Sequence, residues 1–108
     1  MSSDESRQSL IGRARRLVEA GQVEQALKAC QQRLAIDVFD IELWNYVGDL
    51  NKKLGRKSEA LEAYRKAARI FLEEGEVEQS IAAHERLLST YPQDVATQLS
   101  LAAIYRKQ

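Results

Sequence analysis

The sequence predicts an all-α fold of short antiparallel helices, and three observations point there. Alanine, leucine, glutamate, arginine, lysine and glutamine dominate its 108 residues, and all are good helix formers. One proline and five glycines are sparse punctuation for anything but helices joined by brief turns. The third observation is repetition: GEVEQSIAAHERLL, Gly75 to Leu88, lies over GQVEQALKACQQRLA near the N-terminus. Gly75 falls on Gly21, Val77 on Val23, Glu78 on Glu24, Gln79 on Gln25, Ala83 on Ala29 and Leu88 on Leu34.

From Ser6, apolar residues at Leu10, Ile11, Ala14, Leu17 and Val18 recur at the spacing of one helix face. Gly21 ends that helix, because glycine tolerates the left-handed backbone of a helix C-terminus. A second helix carries Val23, Ala26, Leu27, Cys30 and Leu34 on one stripe, and DVFD breaks it. Asp40 is a good N-cap for a third, with Leu43, Trp44, Val47, Leu50 and Leu54, closed by Gly55. A longer helix follows with Ala60, Leu61, Tyr64, Ala67, Ala68, Phe71 and Leu72, ending at Gly75. The fifth runs through Val77, Ile81, His84, Leu87 and Leu88 and stops near TYPQD. Asp94 caps the sixth, VATQLSLAAIYRKQ. Turns this short make the helices antiparallel neighbours.

The length fits one domain. Sixteen basic and sixteen acidic residues cancel, so no global field draws the chain toward nucleic acid or an anionic membrane. A single cysteine cannot form an internal disulfide, and MSSDESRQSL lacks the apolar core of a signal peptide. No apolar run is long enough to cross a bilayer, so the expected setting is reducing and aqueous, that is, cytoplasmic, without membrane insertion.

Gly21 and Gly55 stand 34 residues apart, whereas Gly55 and Gly75 are separated by only 20. Trp44, Val47 and Gly48, the turn at Gly55, then Ala60, Tyr64 and Ala67 resemble the tetratricopeptide repeat, with Asn51 in the usual Tyr slot and Leu72 in the usual Pro slot. Leu10, Ala14, Leu17, Gly21, Ala26 and Cys30 form a looser copy, with Arg13 and Arg33 in slots that are usually apolar or small. Tyr64, Ala67, Ala68, Phe71, Gly75, Ser80, His84, Leu87 and Pro92 form a third, and Leu101, Ala102 and Tyr105 begin a fourth. The resemblance implies an α-solenoid. Its repeats cover 7–40, 41–74 and an overlapping 61–94, with 95–108 as the first helix of a further repeat or a cap, after a polar tail over 1–6. The overlap makes Lys57 to Glu74 one helix shared between two repeats. Close helix approaches are expected at Ala14, Gly48, Ala68 and Ala102, with Trp44, Tyr64 and Phe71 filling the gaps beside them.

Candidate chemistry is thin. His84 is the only histidine and sits where sister copies hold Cys30 and Tyr64, so it reads as a packing residue, as does Cys30. Glu73, Glu74, Glu76 and Glu78 around Gly75 look like a solvated turn rather than a carboxylate pair in a pocket. Phosphate loops, CxxC and HExxH are absent. Arg13, Arg15 and Arg16, with the cluster Arg65, Lys66 and Arg69, read as solvated faces, and nucleic acid is not expected as a partner. The sequence therefore predicts no enzyme, no metal and no cofactor.

What the resemblance implies instead is a protein or peptide partner held in a concave groove lined by the first helix of each pair. The groove candidates are Ile11, Arg15 and Val18, then Glu42, Asn45, Asp49 and Lys52, then Arg65 and Arg69. A carboxylate clamp known in one subgroup is not reproduced, since its places hold Ile11, Arg15 and Tyr46. The last helix is apolar on more than one side, so Leu99, Ala103 and Ile104 form a candidate homo-oligomer interface. The expected function is a non-catalytic adaptor or scaffold module, with oligomerisation through that helix as the alternative.

Overall fold

The computed structural model describes residues 6–108, and the tail expected before them lies outside the described residues apart from Ser6. Six helices make up the described chain: α1 (Arg7–Glu19), α2 (Val23–Ile36), α3 (Ile41–Lys53), α4 (Lys57–Glu73), α5 (Val77–Thr90) and α6 (Val95–Arg106). Gly21, Gly55 and Gly75 end α1, α3 and α4 at φ of 78°, 75° and 82°, a region that other residues enter only with strain. At each, two crossing backbone bonds close the helix. After α1, for example, Gln22 N–H donates to Leu17 O at 2.7 Å and Gly21 N–H to Val18 O at 2.9 Å.

Capping follows the same rhythm. Side chains cap α1, α3 and α6, where Ser6, Asp40 and Asp94 accept from the N–H of Ser9, Leu43 and Thr97. The helices that follow a glycine turn directly, α2, α4 and α5, have no side-chain cap.

Each helix packs on its chain neighbours, and the most extensive contact joins α3 to α4. Gly48 makes that approach possible: a Cβ there would stand 2.5 Å from the Tyr64 ring. The result is a slab of 45 × 33 × 17 Å rather than a ball. Its main apolar core lies under α1–α3, where Leu10, Ile11, Ala14, Leu27, Cys30, Leu43, Val47 and Leu50 are all buried.

The 17-residue α4 packs against both α3 and α5, which gives the expected shared helix its physical form. A recurring ion pair shows its second role. Arg7 of α1 reaches Asp40, the cap of α3, at 3.1 Å, and Arg65 of α4 reaches Asp94, the cap of α6, at 2.9 Å. Thus α4 stands to α6 as α1 stands to α3, while also being the helix that follows α3.

Ala14, Gly48 and Ala68 are buried at helix approaches as expected, but Ala102 is exposed. Among the described residues no helix follows α6 to cover that position as α4 covers Gly48. Trp44 is half-buried, donating its indole N–H to Val38 O at 2.8 Å, with the Lys66 ammonium 5.5 Å from its ring centre. Burial pushes the Cys30 thiol up to about 11, against a smaller opposing effect of Arg13, so it stays protonated and inert.

Candidate functional site

Two adjoining clefts form one concave surface. A cleft of about 640 Å³ runs between α1 and α3, with Ile11, Arg15, Glu42 and Tyr46 on its walls. The next, of about 450 Å³, lies among α3, α4 and α5, walled by Lys52, Tyr64, Arg86, Thr90 and Tyr91. Asn45, Asp49 and Phe71 belong to both and join them into a continuous groove.

Hydrogen bonding fixes its middle. The Tyr64 hydroxyl donates to Asp49 Oδ1 at 2.5 Å, and burial together with that carboxylate raises the phenol above its ordinary range. Arg7 pairs with Asp40 and also with Glu42 at 3.2 Å, so the Glu42 charge is already answered from within the chain. The raised Arg7 pKa has the same cause, the hydrogen bond and charge of Asp40 and then Glu42. Arg15, Lys52 and Arg86 form no ion pair among the described residues, and the Asn45 amide makes no hydrogen bond there. The groove therefore offers aromatic walls, a free amide at its centre and unpaired cations toward both ends.

Of the residues expected in this groove, Ile11, Arg15, Glu42, Asn45, Asp49 and Lys52 come together in it, with Ile11 as a buried floor. Val18 does not; it packs half-buried against the α1–α3 core. Arg65 and Arg69 are also outside. Tyr64, Ala67 and Phe71 turn toward α3 and α5, and each residue along a helix rotates about 100°, which carries Arg65 and Arg69 round toward α6. There Arg65 holds Asp94. Sequence reasoning missed Tyr46, Tyr64, Phe71, Arg86, Thr90 and Tyr91. The available signal was the overlap itself: a helix shared by two units presents a different face to each.

The α6 candidates also separate. Leu99 is exposed at 65%, Ala103 is half-buried on a neighbouring cleft, and Ile104 at 5% is spent on internal packing. Ile104 is buried and leaves little surface for an outer interface.

Antiparallel helix hairpins stacked edge to edge around a concave face define a TPR-like helical fold. No protein-family model matches the sequence, and no curated protein sequence matches it. Solved structures do. The Yersinia enterocolitica type III secretion chaperone SycD, in complex with a peptide of the translocator YopD, matches with a TM-score of 0.54 and 18% identity, over 97% of this chain and 96% of that one. A second structure, of the translocator chaperone SycD from the same organism, gives 0.51 and 20% identity, over 96% of this chain and 88% of that one. At these identities the likeness is one of fold. Among the described residues no helix is long and apolar enough to cross a membrane, and no three His, Cys, Asp or Glu side chains cluster as metal ligands would.

Proposed function

We propose that this chain is a tetratricopeptide-type, non-catalytic interaction module of the cytoplasm, an adaptor or scaffold that holds an extended segment of a protein partner in its concave groove. Repeats over 7–40, 41–74 and 61–94, with 95–108 as the first helix of a further repeat or a capping helix, organise that groove. The observation that carries the reading is the continuous surface through Asn45, Asp49 and Phe71. It combines a free amide that can bond a peptide backbone with aromatic walls that can take side chains. Largely preformed walls keep the ordering cost on the module's side small. SycD, a fold neighbour, is a chaperone solved with a translocator peptide, which supports a peptide as the class of ligand.

Partner capture by the wild-type chain and by an Asn45→Ala/Asp49→Ala/Phe71→Ala variant tests this. The variant is expected to lose the bound segment while keeping its helical circular dichroism; undiminished capture by a folded variant would sink the groove assignment.

A second reading rests on the exposed Val95 and Leu99 of α6, at 60% and 65%. It makes α6 a homo-oligomer interface, with Ala103 at its edge. Light scattering separates the two: a dimer dispersed by Leu99→Glu supports it, and a monomer removes it.

A further inference from the structure

The groove is uneven in charge, and the imbalance lies at one end. In the cleft between α1 and α3, two cations, Arg7 and Arg15, face two carboxylates, Glu42 and Asp49. Arg7 holds Glu42 at 3.2 Å, so half of that balance is met inside the chain. The cleft among α3, α4 and α5 is different. Lys52, from the last turn of α3, and Arg86, from α5, both wall it, and among the described residues Asp49 is the one carboxylate on that wall. Asp49 Oδ1 already accepts from the Tyr64 hydroxyl at 2.5 Å. Lys52 and Arg86 have no ion-pair partner among the described residues. A third cation stands beside them: the Lys57 ammonium lies 5.5 Å from the centre of the Tyr91 ring, itself part of the wall.

The nearby acidic residues are engaged or placed elsewhere. Glu85, next to Arg86 on α5, accepts from the Tyr105 hydroxyl of α6 at 2.5 Å. Glu59 and Glu62 of α4 are exposed and off this wall. Glu73, Glu74, Glu76 and Glu78 surround the Gly75 turn, at the opposite end of α4 and α5 from Lys57 and Tyr91. The whole chain is neutral, sixteen basic residues against sixteen acidic ones, so the excess at Lys52 and Arg86 is a local arrangement and not a consequence of composition.

Around these cations the wall is apolar and aromatic, with Ala67, Phe71 and Leu87 beside the rings of Tyr64 and Tyr91. A ligand that suits both features carries negative charge next to an apolar side chain. A nucleic-acid strand fits less well, because it bears a phosphate at every step and would carry some of them past Asp49 and Glu42. A peptide can place one carboxylate and leave its neighbours neutral. The groove runs on past Asn45 toward Arg15 without closing, which suits a segment passing through it and hence a side-chain carboxylate more than a chain terminus.

We infer that the partner segment held in this groove carries an aspartate or glutamate beside an apolar residue, its carboxylate taken by Lys52 and Arg86 and its apolar neighbour seated against Tyr64, Phe71 and Tyr91. Hydrogen bonds from an ammonium and a guanidinium to a carboxylate are charge-assisted, the stronger kind. This placement rests on the groove taking a peptide at all, and adds what that peptide must contain.

Selection of a phage-displayed random linear peptide library on the full chain tests the placement. The selected sequences are expected to share an acidic residue beside an apolar one. A synthetic copy with an amidated C-terminus should bind about tenfold more tightly than the same peptide with its acid changed to the matching amide, the effect of one charge-assisted hydrogen bond. Lys52→Ala/Arg86→Ala should erase that preference and leave the affinity for the amide peptide unchanged; both side chains are exposed, so the variant keeps its fold. Lys52→Glu/Arg86→Glu should turn the selection toward lysine and arginine. Peptides that weaken in the Asn45→Ala/Asp49→Ala/Phe71→Ala variant yet bind equally as acid and amide overturn the placement and leave the groove reading standing. A library yielding no sequence that this groove variant weakens overturns both. An acid preference undiminished by Lys52→Ala/Arg86→Ala also overturns the placement. So does a free C-terminal acid that restores the amide peptide, which gives the site to a chain terminus, or a short oligouridylate that displaces the acidic peptide, which gives it to nucleic acid.

Discussion

The two halves of this molecule, α1–α3 and the run from the end of α4 through α6, are written on one template yet solve their interiors differently. In the first, the template positions hold Ala26, Cys30 and Leu43, all fully buried in an apolar core. In the second, the same positions hold Ser80, His84 and Thr97, equally buried but polar. The substitutions are consistent because each polar group finds a local partner: Ser80 the Ala68 carbonyl, His84 the Ser80 carbonyl, Thr97 the Asp94 carboxylate. Only His84 Nε2 is left over. A repeat fixes where burial occurs. It does not fix what is buried.

The largest test of that contrast compares Leu43 with its counterpart Thr97. Leu43→Ala should cost about 2–5 kcal/mol, because it opens a cavity in a closed apolar core. Thr97→Ala removes chiefly one hydrogen bond and should cost about 1 kcal/mol. Urea unfolding of both variants checks this, and equal losses would mean the halves are energetically alike.

A smaller difference is expected at Gly48 and its counterpart Ala102. Gly48→Val drives side-chain atoms into the Tyr64 ring and should destabilise by about 1–3 kcal/mol. Ala102→Val, on an uncovered surface, should stay within about 0.5 kcal/mol of wild type. A large penalty at Ala102 would show that something covers α6 in solution.

The smallest effect concerns the repeated Arg–Asp pair. Burial alone would raise the Asp94 carboxyl, but the Thr97 hydroxyl and the Arg65 guanidinium outweigh it and hold the pKa below the ordinary value of 3.8. A depressed carboxylate stabilises the fold above its unfolded pKa, and the contribution is lost as pH falls from 3.8 through the lower folded value. Asp94→Asn keeps the cap and discards the charge. Its melting temperature should therefore lie slightly below wild type at neutral pH and converge with it on acidification below that window. A gap that persists in acid would assign the effect to something other than the charge.

Much of the architecture was legible because its determinants are local. Glycines with left-handed backbones set three helix ends, Asp40 and Asp94 set two starts, and a run without a glycine from Arg56 to Glu74 announced the long α4. On α1 and α3 the spacing placed Ile11, Arg15, Glu42, Asn45, Asp49 and Lys52 on the cleft side, but it put Val18 there too, which packs on the core. It failed on α4, since a helix flanked by α3, α5 and α6 has several working faces. There Tyr64 and Phe71 looked like core while Arg65 and Arg69 looked like groove. It failed again on α6, where Leu99 and Ile104 are both apolar and only packing against α5 decides which is covered. The contributions of Arg86, Thr90 and Tyr91 depend on how far α5 tilts into the groove, a property of tertiary geometry that no spacing encodes.

The shared α4 has a mechanical consequence. Phe71 and Leu72 are adjacent on one 17-residue rod, the former walling the groove and the latter walling a cleft that α4 forms with α5 and α6. There is no loop between these two walls to absorb a displacement. Whatever shifts or turns the rod at one wall shifts it at the other.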